Sequence, residues 1–146
     1  MRRKKYLFLP YFLSFSLVFP AYGQGLVSPV IQKGNVTINK QNHLNTLINQ
    51  KSNKAVVDWQ DFSINKNHSV NINQPNSQSI ILNRVVGKNY SIIDGSLNAN
   101  GQVWLLNPNG TLVGKNGSIN AHGFMVTTHG ISNTNFINGN YKFKKN

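Results

Sequence analysis

The chain has 146 residues, which is enough for one domain with a single hydrophobic core. It carries 15 basic residues against 3 aspartates and no glutamate, so its formal net charge is +12, and it contains no cysteine. The shortage of carboxylates argues against the grouped acids that cleave polysaccharides, and the four histidines lack metal-ligand spacing. We therefore predict no enzymatic activity, no cofactor and no bound metal.

The segment 1–23 has the pattern of a secretory signal peptide. A basic start, Arg2–Lys5, precedes an apolar run, Tyr6–Phe19, and Ala21–Gly23 then supplies small residues where signal peptidase cleaves. We predict cleavage before Gln24 and export of the rest of the chain; the alternative is an uncleaved membrane anchor. After cleavage eleven basic residues remain against three acids, so the formal charge is +8.

The positive charge of the exported part is compatible with an anionic partner, such as glycans or lipid head groups. Its basic residues are scattered along the chain, however, and bunch only at the end, in Lys142, Lys144 and Lys145. Scattered charge is typical of a soluble surface rather than of a nucleic-acid-binding face. We predict no nucleic-acid partner.

An internal repeat organises the second half of the chain. Residues 94–101 align with residues 116–123 at an offset of 22, with five of eight positions identical. A third copy is predicted to begin at Asn138, at the same offset again. A period in the twenties, with short β-rich segments between 24 asparagines and 12 glycines, is typical of a β-solenoid in which each copy is one coil. The predicted fold is all-β, a parallel β-helix of about 22 residues per coil; the alternative is a β-sandwich with similar hairpins.

Each coil divides naturally into three short strands with a bend after each. The predicted strands are 96–98, 102–106 and 111–113 in one coil, then 118–120 and 124–128 in the next. The residues predicted to point inward are Leu97, Val103, Leu105 and Leu112. Stacking then places Leu97 over Ile119 and lets the amides of Asn98 and Asn120 pair. Before residue 94 the repeat fades, which predicts irregular or differently paired coils, and the only weak helical pattern is at 44–48.

A series of short motifs begins at Trp59. In chain order they are Trp59 with Phe62 and Ile64, Asn83-Arg84-Val85, Ile93 with Gly95, Asn100-Gly101-Gln102-Val103 and Asn107-Pro108-Asn109-Gly110. With these gaps, about residues 25–131 resemble the amino-terminal secretion domain of two-partner secretion exoproteins, the filamentous haemagglutinin and high-molecular-weight adhesin type. The resemblance implies a right-handed parallel β-helix that is capped at its start by short extra strands.

The resemblance also implies a function for residues 24–146. Such a domain is recognised in the periplasm of a Gram-negative-type envelope by the soluble domains of an outer-membrane barrel transporter. It is then exported and folds as a β-helix, either secreted or at the cell surface. Two departures stand out: where some relatives have Asn-Pro-Asn-Leu this chain has Gln74-Pro75-Asn76-Ser77, and it stops within the predicted third copy, which predicts a short or truncated form.

The corner Asn107-Pro108-Asn109-Gly110 has the residue order that a type I turn favours. One repeat later the corresponding residues are 129–132, His-Gly-Ile-Ser, so coil geometry alone does not require the motif. We therefore predict that Asn107, Pro108, Asn109 and Gly110 serve transporter recognition or folding, and a purely local role in the turn is the alternative.

Three further motif residues carry structural predictions. Trp59 and Phe62 are predicted to close the open end of the core at the start of the solenoid, and sugar binding is the alternative. Arg84 is predicted to point outward; an inward side chain would need an acid, and Asp94 is the candidate.

Two other functions remain open at this point. One is a self-standing cationic adhesin or glycan-binding module that contacts a host-cell surface. The other is a β-helix enzyme that cleaves polysaccharides, for which the chain offers few acids. Salt-dependent binding to anionic polymers would favour the first, and transporter-dependent release would favour the secretion domain.

Overall fold

The computed structural model describes residues 24–145, so the predicted leader, residues 1–23, lies outside the described part. Within residues 24–145 there are fourteen short strands and one short helix. The helix found among these residues spans five residues, too few to cross a membrane.

Two five-stranded sheets form the main faces of a stack of coils. The first consists of β3 (Val36–Lys40), β4 (Asn45–Gln50), β7 (Ser69–Asn73), β10 (Ser96–Ala99) and β13 (Ser118–Asn120). The second consists of β2 (Val30–Lys33), β5 (Lys54–Trp59), β8 (Ile80–Val85), β11 (Gln102–Leu106) and β14 (Gly123–Thr127). A smaller third face pairs β9 (Ser91–Ile93) with β12 (Thr111–Val113). From β4 onward every pairing between coils is parallel, which confirms the predicted β-helix and excludes the β-sandwich.

The coils stack in the predicted register. Leu97 lies opposite Ile119, one repeat later in the chain. Earlier coils differ in length, because Ser96 lies over Ser69, an interval longer than the repeat. Extra residues are absorbed at the corners, so the stacking stays parallel where the sequence repeat fades. The amide ladder also differs from the prediction, because Nδ2 of Asn98 donates to Oδ1 of Asn71 in the preceding coil at 3.1 Å.

The start of the stack is capped by short antiparallel strands, as predicted. β1 (Leu26–Val27) pairs with β6 (Asp61–Phe62), β2 with β5 and β3 with β4. The helical interpretation of 44–48 was wrong, since β4 occupies this segment. Thr46, Ile48 and Gln50 are buried at alternate positions, which is the period of a strand.

Alternate residues of the coil strands fill the interior of the helix. The residues 97, 103 and 105 are fully buried as predicted, whereas Leu112 is 53% exposed and its predicted inward position was wrong. Leu112 stacks on Ile92, while its neighbours stack on the buried Ser91 and Ile93. Leu112 therefore lies on the outward side of this short face, as does Ile92, which is only half-buried.

The second sheet is apolar on its outer side as well. A second cluster lies there, formed by Val56, Ile80, Leu82, Trp104 and Leu106, and covered by Ile131 and Phe136. The cover comes from Ile131, from α1 (Asn133–Ile137) and from the residues after it. Trp104 meets the rings of Phe136 and Tyr141 edge-on at 5.6 and 4.9 Å. The predicted third copy at Asn138 was therefore wrong: the chain leaves the stack because its last residues bury this outer apolar face.

Candidate functional site

The corner at residues 107–110 joins the second face of the stack to the third. Asn107 is 1% exposed although its side chain is polar. Its Nδ2 donates to Oγ of Ser91 at 2.9 Å and to the carbonyl oxygen of Asn89 at 3.1 Å. The side chain of Asn107 therefore ties the end of β11 to the loop that precedes β9, one coil earlier.

The rest of the corner is a hydrogen-bonded turn with an exposed tip. The Gly110 N–H donates to the Asn107 carbonyl at 2.9 Å, and Gly110 has φ of +101°, a conformation that favours glycine. Nδ2 of Asn109 donates to the Gly87 carbonyl at 2.9 Å and to Oδ1 of Asn107 at 3.0 Å. Pro108 and Asn109 are exposed. A partner could therefore contact Pro108 and Asn109, but not the buried amide of Asn107.

The comparison of this corner with residues 129–132 was wrong. The Asn107 N–H donates to the Thr127 carbonyl at 3.0 Å, and β14 ends there. The chain then leaves the stack, and Gly130 pairs antiparallel with Lys144. Because residues 129–132 do not form a coil corner, their sequence says nothing about what a corner requires. The role of the motif in recognition or folding stays a prediction.

Asn100 and Gly101 surround a buried glutamine at the corner between the first and second faces. Oδ1 of Asn100 accepts from the Gln74 N–H at 2.7 Å, and Nδ2 of Asn100 donates to the Gln74 carbonyl at 2.8 Å. Oε1 of Gln74 accepts from the Gly101 N–H at 2.7 Å, and its Nε2 donates to Oε1 of Gln50 at 3.0 Å. A Cβ at Gly101 would lie 2.7 Å from the Gln74 side chain. Asn100 and Gly101 thus both form hydrogen bonds with Gln74, and the missing side chain of Gly101 leaves space for it.

Gln74 is 7% exposed, and its importance was not among the predictions from the sequence. A signal was present, because the interval from Gln50 to Gln74 equals the interval at which β4 and β7 stack, for example from Asn45 to Ser69. Spacing by one coil length identifies side chains that can form a ladder, but only once the length of that coil is known.

Trp59 and Phe62 lie in the core of the first complete coil. Both are fully buried, with ring centroids 5.4 Å apart in an edge-to-face arrangement. Phe62 pairs with Leu26 of the capping strand β1, and Nε1 of Trp59 donates to Oδ1 of Asn83 at 3.0 Å. Since neither ring reaches the surface, neither can bind a sugar in the folded domain. Asn83 is the buried polar residue that satisfies the indole.

Arg84 is neither a plain outward cation nor a partner of Asp94. Its Nε lies 2.7 Å from Oδ1 of Asp58, and the two side chains are only 19% and 15% exposed. Asp58 is its register partner in the preceding coil, and Nη1 of Arg84 also donates to the Ile131 carbonyl at 3.4 Å. Asp94 instead accepts from the backbone N–H and side chain of Asn116. The predicted outward direction was right, because Arg84 lies on the outer side of the second sheet with Leu82 and Leu106. It is not a plain surface cation, however, and its acid lies in the coil beneath, which the sequence repeat does not reach.

Gly95 lies at the corner between the third face and the first. A Cβ at this position would be 2.4 Å from the carbonyl oxygens of both Asn65 and His68. The preceding coil therefore approaches the backbone of Gly95 too closely for any side chain.

Comparison with known proteins agrees with this architecture. Residues 27–146 match the family model of the TPS secretion domain. The crystal structure of the HMW1 secretion domain from Haemophilus influenzae has a TM-score of 0.78 and 35% identity, and the match covers 84% of this chain and 32% of that one.

Two curated relatives share the name heme/hemopexin-binding protein and come from Haemophilus influenzae. One is 38% identical over 112 residues, which is 77% of this chain and 12% of the relative. The other, from strain Rd, is 43% identical over 81 residues, 56% of this chain and 9% of the relative. The chain thus spans about a tenth of these relatives. It belongs to the family of TPS secretion domains, the amino-terminal domains of two-partner secretion exoproteins.

Proposed function

We propose that the soluble periplasmic domains of a partner outer-membrane barrel recognise this domain, and that it folds as a β-helix during export. The observation that supports the proposal is the parallel stack of coils in a chain that matches the secretion-domain family over residues 27–146. Each coil pairs with the one before it, so coils can be added in chain order as the chain emerges. The absence of cysteine means that no disulfide can lock the chain before it passes the barrel.

The proposal places the exported domain outside the cell or at its surface, after removal of residues 1–23. It assigns no catalysis to the chain. The haem and hemopexin binding in the relatives' name is that of proteins of which this chain spans 12% or less, and we assign none of it to this domain.

The test is export with and without the partner barrel. We expect the full chain, produced together with a partner outer-membrane barrel of a two-partner system, to accumulate in the medium as a protease-resistant domain. Without the barrel, the processed chain should stay in the periplasm. A chain that lacks residues 1–23 is the control and should stay in the cytoplasm with or without the barrel. Equal release into the medium in the presence and absence of the barrel would contradict the proposal.

A second candidate function is the binding of anionic glycans, and the charge distribution favours it. The carboxylate of Asp58 is paired with Arg84, that of Asp61 is buried, and that of Asp94 is bonded to Asn116. Among residues 24–145, no lysine forms a salt bridge with a carboxylate. The lysine charges of this part are therefore not neutralised by acids of the domain and can meet an anionic polymer.

We expect the processed chain to be retained on immobilised heparin at about 0.05 M salt and released as ionic strength rises toward about 0.5 M, because salt screens exposed charges. A column of neutral dextran is the control and should retain nothing. If heparin does not retain the chain at low salt, the glycan-binding function is wrong.

A further inference from the structure

The first coil contains a buried acid that the proposed function does not use. Asp61 is 4% exposed and lies in β6, beneath the capping strand β1. Its Oδ2 accepts from the backbone N–H of Gln24 at 3.0 Å and from Nδ2 of Asn89 at 3.1 Å. Among the described residues, 24–145, its Oδ1 has no hydrogen-bond partner.

Asp61 also has no cation beside it. Within residues 24–145 the single salt bridge joins Arg84 to Asp58. Within the described part of the chain, the carboxylate of Asp61 has two neutral donors at Oδ2 and no hydrogen-bond partner at Oδ1. Burial of such a group is unfavourable, because the cost of removing a carboxylate from water is offset only by a nearby positive charge and by hydrogen bonds to both oxygens. A positive group close to Gln24 would therefore stabilise the carboxylate of Asp61.

The backbone nitrogen of Gln24 is held in place by the strand that follows it. Val27 lies opposite Asp61 in the antiparallel pair, and the Gln60 N–H donates to the Val27 carbonyl at 2.9 Å. The Ser63 N–H donates to the Gly25 carbonyl at 2.9 Å. These bonds anchor both ends of β1, so the position of the Gln24 nitrogen is set by the sheet.

We propose that Asp61 is the binding site for the α-ammonium group that leader removal creates on Gln24. Hydrolysis of the Gly23–Gln24 bond by signal peptidase consumes one water; Gly23 leaves as a carboxylate, and the Gln24 amine takes up a proton at neutral pH. One neutral N–H donor becomes a cation with three N–H donors. The cation supplies the counter-charge and can bond the empty Oδ1 while it keeps the bond to Oδ2.

Folding is thereby coupled to processing. The chain that still carries its leader presents only an amide to Asp61, so its β-helix starts on an uncompensated charge and is less stable. The processed chain closes the ion pair and stabilises β1 on β6 at the start of the stack. This inference rests on the predicted cleavage before Gln24 and is independent of recognition by the barrel.

The test moves the ammonium group by one residue. All chains are made with the leader, processed in the periplasm, purified and checked by mass for their first residue. They carry Gln24→Ser, because an amino-terminal glutamine can lose its amine charge by cyclisation. We expect one alanine inserted after Gly23 to lower the folding equilibrium constant, measured by urea unfolding, at least tenfold. In the Asp61→Asn chain the same insertion should lower it less than threefold.

The matched control is Asp94→Asn, which changes an acid whose carboxylate bonds to Asn116 and not to Gln24, and it should keep the full tenfold effect. An equal loss with aspartate or asparagine at position 61, or no loss at all, overturns the proposal.

A second measurement does not depend on a folded Asp61→Asn chain. In the Gln24→Ser chain, the α-amine should react with an amine-directed reagent at least tenfold more slowly than in the chain with the inserted alanine. The reaction of the surface lysines is the internal standard. Equal rates of α-amine reaction in the two chains would also overturn the proposal.

Discussion

Replacing Asn107 with alanine is expected to lower the free energy of unfolding by about 2–4 kcal/mol. The side chain is 1% exposed, and its Nδ2 serves both Oγ of Ser91 and the carbonyl of Asn89. Alanine would take the donor from the buried Oγ of Ser91, leave the Asn89 carbonyl with only the bond from Nδ2 of Asn109 at 3.2 Å, and open a small cavity at the corner. Urea unfolding of the processed chain, followed by circular dichroism, measures the loss.

Asn109→Ala is the matched control in the same turn. Asn109 is exposed, so water can replace the bonds that its Nδ2 makes. We expect a loss of about 0.5–1 kcal/mol. Equal losses for the two asparagines would show that the buried network of Asn107 does not stabilise the corner.

The same variants separate recognition from folding. We predict that the double change Asn107→Ala and Asn109→Ala lowers export through the barrel by more than its effect on stability explains. The comparison chain is Leu105→Ala, which removes a fully buried side chain from the adjacent strand and should cost about 2–5 kcal/mol. If chains of equal stability are exported equally, the corner has no role in recognition and acts through folding alone.

Gly95→Ala is expected to destabilise the domain by about 3 kcal/mol, because overpacking at this position cannot be relieved. The new Cβ would lie 2.4 Å from the carbonyl oxygens of Asn65 and His68, and 2.7 Å from Cγ2 of Ile64. Both carbonyls are in use: the His68 N–H donates to Asn65, and the Ser96 N–H donates to His68, each at 2.9 Å. Neither can move without breaking the turn or the pairing between coils. The unfolding midpoint in urea tests this result.

Gly123→Ala provides the comparison for Gly95→Ala. The three atoms nearest to its Cβ would all belong to the side chain of Gln102, the closest at 3.2 Å, and this side chain can rotate away. We expect a change within about 0.5–1 kcal/mol. A Gly95 variant as stable as the Gly123 variant would mean that the coils can separate locally, contrary to the close contact between them.

The sequence alone was sufficient for the coil architecture, because neighbouring coils with similar sequences stack position on position. The internal repeat predicted that Leu97 lies over Ile119, and the motifs identified the family. The capping strands at the start also followed from the resemblance. Gly95 and Gly117, one repeat apart, both lie where a backbone carbonyl comes too close for a Cβ, so the repeat itself carried this packing requirement.

Only the tertiary structure decided which residues meet between coils of unequal length. Ser96 stacks on Ser69 in one direction and on Ser118 in the other, and the first interval along the chain is longer than the second. The partner of Arg84 and the neighbours of Gln74 therefore could not be counted along the chain. The position of the last residues also depends on the tertiary structure, because Phe136 packs on the apolar outer face of the second sheet. A local repeat determines register between similar coils, whereas burial of a two-sided apolar sheet depends on which distant segment can reach it.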